Sequence, residues 1–249
     1  MCARPRRLSE ANLYHITFRG VEKRIIFEEE ADRHYLRRLI QNNLEGSELE
    51  LYAWCFMSNH VHLLIHGDLS EVSLFMKQLL SVYARHFNDK YGRIGHLFQD
   101  RFGSVPITTE EQLLATVRYI HLNPLDIPNM AYETYPWSSY REYLRKPMLV
   151  ETEFVLSLFS NVDDFAAFHD SGKRDGDLPD STKRLQIDDI DAVKGACILL
   201  GVKSLTEISA LGKAERDSKI VRLKEAGYPI KQISRITGIN RNTVQRARS

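Results

Sequence analysis

His60 and His62 sit one residue apart in the run MSNHVHLLIHG, residues 57–67. Side chains alternate along a strand, so His60, His62, Leu64 and His66 share one face, while Val61, Leu63 and Ile65 supply a core on the other. Two imidazoles about 7 Å apart on one strand face can close on a single divalent ion. Taken alone, they also fit two solvated histidines on a half-exposed strand. A metal site needs a further protein ligand, and TTEEQLLATVRYIHLNP, residues 108–124, offers one. Tyr119 and Asn123 are four apart and lie on one helical face. Gln112 and Thr116 extend that polar stripe, and Leu113, Val117 and Ile120 line a different, apolar side. Histidine with an oxygen ligand suits Mg2+, Mn2+ or Zn2+. The same spacing also fits a tyrosine packed at a domain edge and an asparagine that caps the helix end.

The elements that would position these groups follow from periodicity. NLYHITFRG (12–20) alternates and ends in glycine, which predicts a strand. Tyr35, Leu36, Leu39, Ile40 and Leu44 recur three or four apart before Gly46, which predicts a helix and its stop. LELYAWCFM (49–57) and HVHLLIH (60–66) are strands joined at Ser58-Asn59. A helix follows from Leu69, opened by a weak Ser70-x-x-Ser73 box, and RFGSVPI (101–107) is a short strand. The last helix opens on the capping box Thr109-x-x-Gln112 and ends at Pro124. The order β, α, β, β, α, β, α predicts an α+β sandwich with an antiparallel sheet of the ferredoxin-like or RRM-like kind. YPWSSYREYL closes this domain near Arg145, giving a first domain over residues 1–145.

Charge is distributed unevenly along a chain whose formal net charge is only +1. Residues 161–191 carry nine Asp against four Lys or Arg, a net −5, and read as a solvated linker within a connecting segment, 146–190. Residues 213–249 carry ten Lys or Arg against three Asp or Glu, a net +7. This basic tail belongs to a small all-α domain, 191–249. Within it, Ile230, Ile233 and Ile236 form the apolar side of one short helix, Gly238 marks a turn, and Val244 is the buried residue of a second. Arg241, Asn242, Thr243, Gln245 and Arg246 point outward, as in a helix-turn-helix whose second helix reads base edges. A helical hairpin packed on another protein has the same pattern, but the positive surplus favours phosphate contact.

The three cysteines, Cys2, Cys55 and Cys197, are scattered, so neither a zinc ribbon nor a disulfide framework is expected. No apolar run approaches the roughly 18 residues of a membrane span, and the basic N-terminus has no following apolar region. A cytoplasmic protein is expected. YGRIGHLFQDRFGS (91–104) combines Arg93, His96, Gln99 and Arg101 with Tyr91, Phe98 and Phe102. Its cations could contact phosphates while its aromatics stack unpaired bases; a polar loop with an aromatic anchor fits equally.

Four stretches together carry a resemblance. MSNHVHLLIH, GRIGHLFQDRF, VRYIHLNP and YPWSSY resemble, in this order over residues 8–145, the HUH single-tyrosine transposases, and among them the tyrosine transposases associated with repetitive extragenic palindromes. Ser58 departs from the proline usual in such relatives, which alters the turn and not the ligands. The resemblance implies the HUH nuclease fold, with Tyr119 as nucleophile on a DNA phosphodiester and a 5′-phosphotyrosine intermediate. It also implies His60, His62 and Asn123 as ligands of Mg2+ or Mn2+, and single-stranded or hairpin DNA as substrate. Arg93, His96, Gln99 and Arg101 take a DNA-binding role by the same likeness, with Arg6, Arg7 and Arg19 as further candidates. Duplex DNA is the expected partner of the helix-turn-helix. Tyr83 is a rival nucleophile, but its spacing with Leu79, Leu80 and Phe87 favours packing. A catalytically silent DNA-binding regulator, or a phosphodiesterase that uses water, would keep the same fold. The sequence is compatible with either a monomer or a homodimer.

Overall fold

β1 (Leu13–Arg19), β2 (Glu50–Phe56), β3 (His60–His66) and β4 (Gly103–Ile107) form one antiparallel sheet in the order β2-β3-β1-β4. These are the segments whose residues alternate or are β-branched and aromatic, so each can bury a face. A computed structural model describes residues 6–170, 189–202, 204–226, 228 and 230–247. The acidic stretch 171–188 and Cys2 lie outside the described residues.

Register decides which side chains share a face. Tyr14, Ile16 and Phe18 alternate with His15, Thr17 and Arg19, and β1 pairs with β3 as Ile16↔Leu63, Thr17↔His62 and Arg19↔His60. One face therefore carries Tyr14, Ile16, Phe18, Val61, Leu63, Ile65, Trp54 and Phe56, all buried. α1 (Glu30–Leu44) and α2 (Leu69–Tyr91) supply partners such as Leu36, Ile40, Met76 and Phe87 to the same core, joined by Phe27 just before α1. α3 (Glu110–Leu122) packs against β2 and β3. The β-α-β-β-α-β-α order and strand order are those expected of a ferredoxin-like sandwich.

Two local expectations are corrected. α2 is capped by Asp68, whose carboxylate accepts from Ser70 N at 2.7 Å, and not by a Ser70 box, because a carboxylate two residues earlier is the better acceptor. Thr109 does accept from Gln112 N, but the Gln112 side chain turns back to Thr108 N at 2.9 Å. α3 does end before Pro124, at Leu122, and the chain goes on as a separate short 3-10 turn over Asn123–Asp126, since Pro124 lacks only a donor that a first turn leaves unused.

YPWSSY edges the sheet beyond β2. Phe56 N donates to Trp137 O, Ser139 N to Trp54 O, and the Tyr135 hydroxyl to Phe56 O. α4 (Tyr140–Tyr143), α5 (Glu153–Leu156) and α6 (Val162–Asp170) follow, and Phe165 stacks on Tyr143 at 4.7 Å. Residues 6–123 and 135–170 thus form one compact unit, and the expected boundary at Arg145 falls inside it.

The second unit contains residues 124–134 together with the described residues from 189 onward. α7 (Asp189–Leu200), α8 (Lys213–Glu225), α9 (Ile230–Thr237) and α10 (Arg241–Arg246) enclose Ala196, Ile208, Ile220, Leu223, Ile233 and Val244. Gly195 allows a close approach here: a Cβ would lie 2.5 Å from Pro128 O and 3.3 Å from Ile127 Cγ2. Gly238, at φ +71°, makes the turn between α9 and α10. No described helix is long and apolar enough to cross a membrane.

Candidate active site

The face of the sheet away from α1 and α2 carries the histidines. His60 and His62 are buried, not half-exposed, with ring centroids 5.0 Å apart and planes at 86°. Their burial follows from β3 being an interior strand covered on both sides. His66, on the same strand face, lies toward the other end, where it bonds Glu50 at 3.1 Å and stacks on Tyr52.

Each ring is held by a neighbour. His60 Nδ1 is 2.6 Å from Asn59 Oδ1, and Asn59 Nδ2 donates to Lys23 O. Asn59 Oδ1 can only accept, so the His60 proton sits on Nδ1 and Nε2 keeps its lone pair. That Nε2 is buried and has no hydrogen-bond partner, as a ligand atom waiting for an electrophile would be. His62 Nδ1 lies 2.9 Å from His15 Nε2, and the two rings stack at 5.2 Å. Burial drives the His15 pKa down to about 4. Burial also lowers His60 to about 4, opposed by the Asn123 amide and aided by the charge of Arg19. Both imidazoles are therefore neutral at pH 7, the form in which histidine ligates a metal.

α3 brings Tyr119 over these rings. Its ring lies edge-on to His62 at 5.5 Å and to His15 at 5.8 Å. Tyr119 is half-buried, whereas Thr116 of the same stripe is fully buried and donates back to Gln112 O. Asn123 Nδ2 donates to Tyr119 O at 2.8 Å, which leaves Oδ1 as the amide's acceptor. His60, His62, Tyr119 and Asn123 thus come together, with His15 added. Among the described residues no three His, Cys, Asp or Glu side chains are grouped to hold a metal, so a third protein donor here has to be an amide such as Asn123. Two imidazoles and an amide oxygen suit a borderline or hard divalent ion.

Tyr83, the rival nucleophile, is fully buried under the opposite face and donates to Ile26 O at 2.5 Å. Burial pushes its pKa far up, away from any phenolate.

His15 was not singled out from the sequence. Its signal was the alternation of polar His15, Thr17 and Arg19 with apolar Tyr14, Ile16 and Phe18 in a strand that reads as buried. Asn59, in sequence a turn signal with Ser58, also holds His60.

The 91–104 stretch divides by role. His96, Gln99 and Arg101 are exposed, and Arg93 is half-buried with its guanidinium 5.7 Å from the Phe87 ring. The aromatics anchor the segment and are not poised to stack bases. Phe98 meets Phe18 edge-on at 5.4 Å, Phe102 lies under Arg6 at 3.8 Å, and the Tyr91 hydroxyl donates to Asp32. The backbone joins the end of β1, with Gln99 N donating to Arg19 O and Val21 N to Leu97 O. In the second unit, Arg241, Asn242, Gln245 and Arg246 are exposed on α10, Val244 is buried, and Thr243 is half-buried instead of outward. Asn240 caps α10 by accepting from Asn242 N at 2.8 Å.

A four-stranded antiparallel sheet with paired histidines beneath a helix-borne tyrosine defines an α+β protein with one combined imidazole and phenol site. Residues 9–123, which contain all of these groups, match the family described as transposase IS200 like. A solved structure of a REP-associated tyrosine transposase bound to a REP hairpin is similar at 20% identity and a TM-score of 0.47, over 59% of this chain and 87% of that one. None of the curated proteins matches the chain.

Proposed function

We propose that the first unit cuts and rejoins single-stranded or hairpin DNA, with Tyr119 as the nucleophile. The reading rests on one observation above others: the Tyr119 ring stands 5.5 Å from the ring of His62, on the sheet face that His60 shares. The Tyr119 oxygen attacks the scissile phosphorus, the bond to the 3′ oxygen breaks, and the products are a 5′-phosphotyrosine and a free 3′-OH. A 3′-OH of another end then attacks the same phosphorus and expels the tyrosine, so joining needs no ATP.

His60 and His62 through Nε2, and Asn123 through its amide oxygen, would hold a divalent ion, Mg2+ or Mn2+. Such an ion, when bound, would offset the charge of the phosphate. Asn59 sets the tautomer and orientation of His60, and His15 orients His62 and accepts its Nδ1 proton when His62 binds the ion through Nε2. Asn123 also ties its own position to the Tyr119 backbone. His96, Gln99, Arg93 and Arg101 meet DNA phosphates beside the site.

In the second unit, α9, the turn at Gly238 and α10 form a helix-turn-helix. Arg241, Asn242, Gln245 and Arg246 face a duplex major groove, with Thr243 at the margin.

Incubating the protein with single-stranded hairpin DNA and Mn2+ tests the reading. A slower species that survives denaturation is expected from wild type and from Tyr83→Phe, and not from Tyr119→Phe. Its absence from wild type sinks the proposal: DNA cut without an adduct leaves a phosphodiesterase that uses water, and uncut DNA leaves a silent DNA-binding regulator.

A further inference from the structure

We infer that Arg19 is a further catalytic residue, gripping the non-bridging oxygens of the scissile phosphate as Tyr119 attacks. This rests on the phosphotyrosine reading and adds a cation that the protein itself supplies.

Placement carries the argument. The β1–β3 register sets Arg19 directly opposite His60 and Thr17 opposite His62, so Arg19 shares the imidazole face. Opposed residues of an antiparallel pair hold their Cβ atoms about 5 Å apart. Arg19 is exposed at the rim, while His60 is buried beside it. Arg19 therefore stands at the solvent-facing edge of the imidazole face.

The backbone beneath Arg19 is fixed on three sides. Its carbonyl accepts from Gln99 N at 3.0 Å, and the next amide, Gly20 N, donates to Asn59 O at 2.9 Å. Asn59 is the residue that also holds His60. Gly20 has no room for a side chain, since a Cβ would lie 2.1 Å from Arg24 O. Arg19 and the ligand His60 are therefore mounted on one frame.

Its charge is uncompensated. Arg24, Lys90 and Arg216 each have a carboxylate partner, whereas Arg19 makes no ion pair or side-chain hydrogen bond among the described residues. Its nearest partners in the sheet, His60, Thr17, His62 and Gly103, bring no carboxylate. Neutral imidazoles cannot balance the charge that builds on phosphate oxygens, and a planar guanidinium matches two such oxygens at once. A cation meant only for general DNA attraction would not need this fixed mounting.

The test uses the full chain with Mn2+ and two hairpin substrates, one with an ordinary scissile phosphodiester and one with a neutral methylphosphonate there. Single-turnover adduct formation at saturating DNA is compared for wild type, Arg19→Lys and Arg19→Ala, with DNA affinity measured separately. Arg19→Ala is expected to slow adduct formation about 100-fold on the phosphodiester, the scale of one lost transition-state donor. DNA affinity should change less than about 3-fold, a ground-state effect distinct from the rate. Arg19→Lys should recover part of the rate, and the penalty should shrink on the methylphosphonate. An undiminished rate in Arg19→Ala, a loss seen only in affinity, or an equal penalty on both substrates overturns the inference alone. No adduct from wild type overturns the nuclease reading and this inference with it.

Discussion

His15→Ala should weaken metal binding without touching a proposed ligand. A neutral His62 keeps its Nε2 lone pair for an ion only when its proton is on Nδ1. That proton then goes to His15 Nε2, 2.9 Å away. Burial holds His15 near pKa 4, so at pH 7 it is a neutral acceptor and adds no positive charge to the site. The opposite tautomer pair, with His15 donating, would protonate His62 Nε2 and block ligation. Removing His15 takes away the nitrogen to which the His62 Nδ1–H donates whenever metal is bound. Loss of such an outer partner lowers metal affinity about 10–100-fold, or about 1.4–2.7 kcal/mol. Calorimetric titration of Mn2+ into the full chain at pH 7 measures this directly. His15→Gln, which keeps a carbonyl acceptor, should recover part of the loss. Unchanged Mn2+ affinity in a folded His15→Ala protein refutes the reasoning.

Asp32 accepts from Glu28 N, Glu29 N, Lys90 and Tyr91, so Asp32→Asn should lower unfolding stability by about 1–3 kcal/mol at pH 7, read by urea denaturation. Burial alone would raise its pKa, but these bonds outweigh it and hold the carboxyl low. The stabilisation is therefore complete above the unfolded value and disappears as pH falls through the folded one, so wild type and Asp32→Asn should converge in acid below about pH 4. Gly20→Ala forces a Cβ to 2.1 Å from Arg24 O and should cost about 1–3 kcal/mol, visible as a lower melting temperature. Arg246→Ala should weaken binding to duplex DNA and reduce the salt dependence of log K by about one, measured by anisotropy at several salt concentrations; an unchanged slope places that side chain away from phosphate.

Much of the sheet was legible because its signals are local. Alternation in LYHITFR and HVHLLIH assigned faces correctly, and Gly46 and Gly238 marked stops through positive φ. What stayed hidden depends on contacts distant in sequence. His15 joins the site only through a strand pairing that sets it diagonal to His62, 47 residues away. Tyr91, Phe98 and Phe102 looked available for stacking, yet their partners, Asp32, Phe18 and Arg6, come from the other end of the domain. Residues 124–134 read as the tail of the first domain, but Gly195 leaves a gap into which Ile127 and Pro128 fit. Nothing in their own composition points to α7.

The proposed chemistry requires Tyr119 to become covalently joined to DNA. Digesting the protein after reaction with hairpin DNA and Mn2+, and sequencing the nucleotide-bearing peptide by mass spectrometry, identifies the joined residue. A 5′-nucleotide on Tyr119 is the predicted result; a nucleotide on any other side chain, or DNA cleaved with no peptide attached, contradicts it.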